Sequence, residues 1–240
     1  MHGNILLGLL VNGTLAAAAF LLQTVTRSGA VAGAILGTLI WWSLDWRGWA
    51  ILVAFFAIGS ALTRFRYWAK DQMGLAEPEG GRRDARRALA KVAVPALFAL
   101  AYGATGARWL SVAFVCACAT GLSDTAGTEI GQLFGKYPVL LPSFRPVHVG
   151  TRGAVSIEGT VAGAAASFLL GVLAWLVRVP PDSWKHWVLV VVLAALVGTT
   201  TESIVVAKRE EKRKIDDGLA NLLTTVVGGL AGGILAALLL

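Results

Sequence analysis

The stretch TGLSDTAGTEIGQLFGKYPVLL, residues 120–141, closes an apolar run with two acids, Asp124 and Glu129, and a lysine, Lys136, set among glycines. Carboxylates can hold a cation on a phosphate group, and bare glycine backbone lets a ligand come close. At 100° per residue, Asp124, Thr128, Gly131 and Gly135 fall within about 40° of one another on a helix. That is a carboxylate and a hydroxyl above a strip without side chains. Glu129 lies about 140° from Asp124 on the same wheel, so either the helix breaks near Gly127 or the two acids do different jobs. An ionisable group at membrane depth is costly and needs a partner. For Asp124 the spacing points to Mg²⁺ on a nucleotide, since magnesium is held by one or two carboxylates plus phosphates; a water-exposed Asp and Glu at a helix end is the plain alternative. GQLFGKY is not a Walker loop, because three residues rather than four precede its Gly-Lys and Tyr137 stands where Ser or Thr belongs.

Three other polar clusters bear on the same chemistry. TRFRYWAKDQMGLAEPEGGRRDARRALAK ends one helix in basic and aromatic residues, breaks at Pro and Gly, and restarts with Arg82, Arg83, Arg86 and Arg87. Spacings of three and four place Arg83, Arg86 and Arg87 on one helical face, suited to forked phosphate contacts or to anionic lipid headgroups. PSFRPVHVGTRGAVSIEGT is an irregular loop with Arg145, Thr151 and Arg152 before a helix start, a second phosphate cradle. Its His148 reads as structural. GTTTESIVVAKREEKRKIDDGLANLLTT holds Glu202 inside an apolar segment and Asn221 one turn into another, while Asp216 and Asp217 suit helix capping. Glu158 joins this set from the start of a further apolar segment.

The elements that carry these residues are membrane helices. Of 240 residues, 56% are hydrophobic and only 15% charged, against about a quarter charged in soluble domains; the mean hydropathy is +0.70. Eight apolar segments stand out, at about 4–22, 29–44, 48–62, 92–106, 109–123, 156–178, 184–206 and 219–240. Several are short enough to be broken or re-entrant. The expectation is one all-α domain over residues 1–240, a polytopic integral membrane helix bundle with about eight transmembrane segments (six to eight). The N-terminus lacks the basic region of a secretory signal, so the first segment reads as a retained helix. Cys116 and Cys118, two apart on a helix, face away from each other and form neither a disulfide nor a metal site.

With eight segments and the N-terminus outside, 17 of the 21 lysines and arginines fall on one side, at Arg27 and in loops 63–91, 124–155 and 207–218. Arg47, Arg108, Arg178 and Lys185 remain on the other. The positive-inside rule makes the first side cytoplasmic. The expectation is a multi-pass protein of the cell membrane whose three cytoplasmic loops build one site. The net charge of +7 follows from the same rule and does not imply nucleic acid as a partner.

In order along residues 58–235, GGRRDARRALAK, SDTAGTEIG, VGTRGAVSIEGTVAG, GTTTES and IDDGLANLL resemble the membrane family that contains phytyl-phosphate kinase and transmembrane protein 19. SDTAGTEIGQLFGK is also similar to a segment of the more distant CTP-dependent dolichol and phytol kinases. The resemblance implies a phosphotransferase that uses a nucleoside triphosphate, CTP in related enzymes, with Mg²⁺, to convert an isoprenyl monophosphate of phytyl, geranylgeranyl or farnesyl type to the diphosphate. It implies catalytic or metal roles for Asp124 and Glu129, and phosphate contacts for Arg82, Arg83, Lys136 and Arg152. The full phosphate and nucleotide set is then Arg82, Arg83, Thr128, Gly131, Gly135, Lys136, Arg145, Thr151, Arg152, Ser156 and Asn221. The metal set is Asp124, Glu202 and Asp216.

A phosphate monoester acceptor is already nucleophilic at neutral pH, consistent with a site without a catalytic His or Cys. Its tail would lie among the helices. Gly33, Gly37, Gly159, Gly163, Gly228 and Gly232, at four-residue spacings, point to close helix packing in a compact bundle or a homodimer. Two rivals differ in class. A CTP-dependent lipid cytidylyltransferase would release pyrophosphate, and a lipid transporter or flippase would favour internal repeats, which the sequence does not show.

Overall fold

The computed structural model describes residues 3–179, 186–210 and 217–239. Asp216, one of the expected metal ligands, lies outside the described residues. Among the described residues, eight α-helices account for most of the chain: α1 (Ile5–Leu21), α2 (Arg27–Arg64), α3 (Tyr67–Gln72), α4 (Ala85–Thr105), α5 (Arg108–Phe134), α6 (Ile157–Leu176), α7 (Trp187–Glu210) and α8 (Asp217–Leu239). Six of them, all except α1 and α3, are long and apolar enough to cross a membrane. The protein is an all-α, polytopic membrane bundle.

The expected second and third segments are both present, joined as α2 through one non-helical residue, Asp45, with φ 59° and ψ −169°. The two limbs fold back on each other. In a straight helix Trp41 and Trp49 would stand ~12 Å apart along the axis, yet their rings meet edge to face at 5.3 Å. Asn12 of α1 touches both limbs, at Gly37 and through Trp49 Nε1 at 3.0 Å. Arg64 at the end of the second limb donates to the carbonyl of Gln23, just before the first, at 2.5 Å. Counting the limbs separately and setting aside the six-residue α3, eight long helical segments alternate in direction.

One end of the bundle therefore gathers the close of α1, of α2, of α5 and of α7 with the starts of α4, α6 and α8. Arg64, Lys70, Arg83, Arg86, Arg87, Lys91 and Arg152 lie at or near this end, while Arg47, Arg108 and Arg178 lie at the other. Between α5 and α6 the chain adds a small antiparallel sheet, order β2-β1-β3, from β1 (Val139–Leu140), β2 (Arg145–Pro146) and β3 (Ala154–Val155). Polar, Pro- and Gly-containing sequence outside the spans can pair this way because water satisfies its outer edges.

α5 is the central helix: 89% of its apolar window is buried in protein, against 28–44% for the others. Its small residues let neighbours approach closely. A Cβ on Gly163 of α6 would stand 2.6 Å from Ser123 Oγ, and one on Gly159 would stand 2.7 Å from the Gly127 carbonyl. Gly228 of α8 packs against Thr120 and Gly232 against Cys116. Gly37 packs against Asn12, so most of the expected small-residue contacts form within this chain. Gly33 is the exception, with no atom within 4 Å of a built Cβ.

Candidate active site

α5 is continuous from Arg108 to Phe134, with no break at Gly127, so the two acids do different jobs. The stretch expected to open a loop at residue 124 is helical for ten residues more, to Phe134.

Glu129 is buried and paired with Lys70, the two side chains 6% and 1% exposed. Lys70 reaches it because Arg66, in left-handed conformation, turns the chain into the short helix α3. Phe65 and Arg66 lie against the Phe134 ring, at 6.5 and 5.6 Å, docking this turn onto α5. The Lys70 ammonium also donates to the carbonyls of Thr63 at 2.8 Å and Leu62 at 3.3 Å. Both carbonyls belong to the last turn of α2, where acceptors run short of helical partners; that of Leu62 also accepts from Phe65 N–H at 3.2 Å. One ammonium thus spends its three hydrogens fastening the end of α2 to α5.

Asp124, one turn deeper and 20% exposed, accepts from Lys91 of α4 at 2.8 Å. Lys91 also donates to Thr125 Oγ1 at 2.7 Å, whose hydroxyl in turn donates to the Gly121 carbonyl.

Asp124 and Glu129 both border a cavity of about 750 Å³ at the basic end of the bundle. That volume is in the range of small-molecule and cofactor sites, roughly 300–1,000 Å³. Of the expected residues, Arg83, Thr128, Gly131, Thr151, Arg152, Ser156, Glu202 and Asn221 also line it. Arg82, Gly135, Lys136 and Arg145 do not. Lys136 is exposed beyond the end of α5, and Arg145 is exposed on β2. Gly135 is the C-cap of α5 and packs on Ser156.

Arg82 and Arg83 part company for a local reason. Asp84 is the N-cap of α4, its carboxylate accepting from Arg87 N–H at 2.8 Å, so both arginines precede the helix. There the chain is extended and pairs with the α1–α2 connection, Arg83 N–H to Thr24 carbonyl and Thr26 N–H to Arg83 carbonyl, each 3.0 Å. Successive side chains on extended backbone point to opposite sides. Arg83 enters the cavity, while Arg82 turns away with its Nε buried and without a hydrogen bond.

Arg83, Arg87 and Lys91 follow one another at four-residue intervals and form a basic ladder along the cavity, with Arg86 beside it. Arg87 pairs with Glu77 at 2.9 Å. Desolvation pushes the Arg83 pKa below its ordinary value; Glu77, Glu129 and Asp124 oppose the shift and Arg87 adds to it. Lys70 and Lys91 are the partners that sequence reasoning missed. The interval Arg83, Arg87, Lys91 was a readable signal for Lys91, whereas nothing near Lys70 announces a partner 59 residues away.

Three helices begin at the cavity. Asp84 and Arg86 come from the start of α4, Ser156 and Gly159 from α6, and Gly218 and Asn221 from α8. Ser156 caps α6 by accepting from Gly159 N–H at 3.1 Å. Helix N-termini favour anions through their unpaired N–H groups and the helix dipole. Gly153, at φ 75°, lets the α5–α6 loop press on α7, where a Cβ would stand 2.9 Å from Ala207 N. Across the cavity mouth Leu75 meets Gly150. Glu202 of α7 accepts from Thr224 of α8 and completes the acidic side.

A family profile described as integral membrane protein DUF92 matches residues 10–238. The chain belongs to this family. It is the family that the ordered motifs resemble. The chain is 41% identical over 145 residues to an uncharacterized membrane protein of Synechocystis, covering 59% of this chain and 56% of that protein. It is 36% identical over 155 residues to Protein VTE6, chloroplastic, of Arabidopsis thaliana, covering 62% and 46%. With an uncharacterized membrane protein of Methanocaldococcus jannaschii it shares 29% identity over 150 residues, covering 62% and 61%. The chain thus spans about half the length of these curated relatives. No solved structure matches it.

Proposed function

We propose that the protein is a membrane-embedded phosphotransferase that converts an isoprenyl monophosphate to its diphosphate, with CTP as donor. The observation that carries the reading is the junction of Arg83, Arg87 and Lys91 with three helix N-termini around a 750 Å³ cavity that also holds Asp124. Such a lining binds a polyanion, and the family resemblance to phytyl-phosphate kinase supplies the lipid phosphate as acceptor. By the positive-inside rule the cavity faces the cytoplasm of a cell membrane.

Phosphoryl transfer needs positioning and charge stabilisation more than covalent chemistry from the protein. In this reading an acceptor phosphate oxygen attacks the γ-phosphorus of the nucleotide, a new P–O bond forms, and the bond to the β-phosphate oxygen breaks to release the nucleoside diphosphate. Arg83, Arg86 and Arg87 hold phosphate oxygens. Lys91 exchanges its bond to Asp124 for one to the ligand, Thr151 and Arg152 close over the phosphates from the α5–α6 loop, and Ser156 and Asn221 mark helix starts that face them. Glu129 acts by fixing α5 through Lys70.

Hard oxygen donors on the cavity wall, Asp124 and Glu202 among them, suit magnesium. Among the described residues no three acidic, His or Cys side chains form a cage, and one or two carboxylates with substrate phosphates are the usual arrangement for this ion. Among the described residues, Asp124 and Glu202 would hold it, and when bound it would neutralise phosphate charge.

The test is incubation of detergent-purified protein with CTP, Mg²⁺ and phytyl, geranylgeranyl or farnesyl monophosphate. Isoprenyl diphosphate and CDP are expected. A CDP-lipid with pyrophosphate would make the protein a cytidylyltransferase, and monodisperse protein that converts no lipid phosphate with any triphosphate would overturn the kinase reading.

A further inference from the structure

The basic ladder has a second, apolar side. A cavity of about 100 Å³ opens between α1, the two limbs of α2 and α4, walled by Leu15, Ala19, Gly33, Leu36 and Phe56. Arg83, Arg87 and Lys91 border it as well as the polar cavity, so the two meet along these three side chains. At its far end Asn12 is buried and its Oδ1 accepts from Trp49 Nε1 at 3.0 Å.

We infer that this groove takes the head-proximal part of a single prenyl-type tail, belonging to a lipid monophosphate whose headgroup lies on the basic ladder. The inference rests on the lipid-phosphate reading of the polar cavity. Charge complementarity fixes which end holds the phosphate, because Arg83, Arg87 and Lys91 are the only charged residues on the groove wall among the described residues. Size fixes the number of tails. At 100 Å³ the groove is well below the roughly 300–1,000 Å³ of a drug-sized ligand site, which suits one narrow chain and not two acyl chains side by side. Depth fixes how much of the tail is held. From Gly29 to Leu36 the α2 wall rises seven residues, ~10 Å at ~1.5 Å each, after which the Asn12–Trp49 hydrogen bond bars the way. The remainder of the tail leaves sideways past Gly33 into lipid.

Gly33 supports this assignment. The other glycines of the four-residue pattern are held small by a packed neighbour, yet nothing lies within 4 Å of a Cβ at Gly33. The space it keeps open is on the groove wall. A large side chain there would fill the groove without displacing a helix. Gly13 gives the matched control, since nothing lies within 4 Å of its Cβ and it is exposed away from the groove.

The experiment is calorimetric titration of the purified protein with farnesyl phosphonate, in the absence of nucleotide. Gly33→Phe is expected to weaken binding roughly tenfold or more, the lower end of what one misplaced methylene costs in an apolar pocket, while Gly13→Phe binds as wild type. Dioleoyl phosphatidic acid is expected to bind more weakly than farnesyl phosphonate. Equal affinity of Gly33→Phe and wild type, or phosphatidic acid binding as tightly as the phosphonate, overturns the groove. Should Gly33→Phe not fold, a farnesyl phosphonate with a photoreactive diazirine on the tail decides on the wild type. Labelling of α1 and α2 supports the groove and labelling confined to other helices removes it. Failure of the two readings is distinguishable: tight, Gly33-sensitive binding without transfer sinks only the kinase, and transfer of farnesyl phosphate undiminished in Gly33→Phe sinks only the groove.

Discussion

Glu129→Gln separates a fastening role for this acid from a chemical one. The substitution keeps the shape and removes the charge that faces Lys70, whose side chain is 1% exposed. The ammonium would keep the Leu62 and Thr63 carbonyls and at best a neutral amide oxygen, but would lose its counter-charge. Breaking one half of a buried pair typically costs about 3–5 kcal/mol. At roughly 2–4 °C per kcal/mol for a chain of this size, Tm should fall by roughly 6–20 °C. Removing both partners, as Lys70→Met with Glu129→Leu, should recover much of that loss, because apolar groups can replace a buried ion pair at small cost. The assay is thermal unfolding in detergent, followed for both variants alongside single-turnover transfer. A Tm for Glu129→Gln equal to wild type would refute the fastening argument. A double variant that melts like wild type yet transfers no phosphate would show instead that the carboxylate itself acts on the ligand.

Asp124→Asn, which keeps the shape at the cavity wall, should lower transfer by ~10²–10³, the scale of losing one electrostatic stabiliser, with a smaller Tm loss than Glu129→Gln because the Lys91–Asp124 pair is more exposed than Lys70–Glu129; near-normal turnover at ordinary magnesium contradicts the assignment. Gly163→Leu must force α5 and α6 apart, because its Cβ would stand 2.6 Å from Ser123 Oγ; a loss of at least about 1–3 kcal/mol is expected in thermal unfolding, and a stable variant would show that the interface is looser than described. Single cysteines at Gly80, Ser143 and Glu211, with the buried Cys116 and Cys118 left in place, should escape an impermeant thiol reagent on intact cells while a cysteine at Arg47 reacts. Labelling of one of the first three but not the others would break the common-face arrangement.

The helices were legible because hydrophobic length is the dominant signal in a membrane chain. Even the turn at Asp45 falls in the gap between two expected segments, where polar residues interrupt the apolar run. The common face followed from the arginines and lysines. The site was less legible, for two physical reasons. Arg82 and Arg83 looked like neighbours on one helix, but Asp84 caps α4 after them and extended backbone sends them apart; the Asp84 cap was itself a readable signal. Lys70 had none, since its partner is set by how α3 docks on α5 and not by local pattern.

The glycine strip on α5 shows how packing and ligand access share one feature. Gly127 and Gly131 bring α6 close, and a Cβ on Gly131 would stand 3.4 Å from Ser156 Oγ. That contact is also what sets the start of α6, with its Ser156 cap, against the cavity beside Asp124. Were α6 held off by larger residues on α5, its N-terminus would move away from the basic ladder and the anion-binding arrangement would open to water. The strip thus lines the cavity at Gly127 and Gly131 and also sets the α5–α6 spacing. It decides how near the α6 dipole stands to Arg83, Arg87 and Lys91, and so how much positive potential the cavity offers a phosphate.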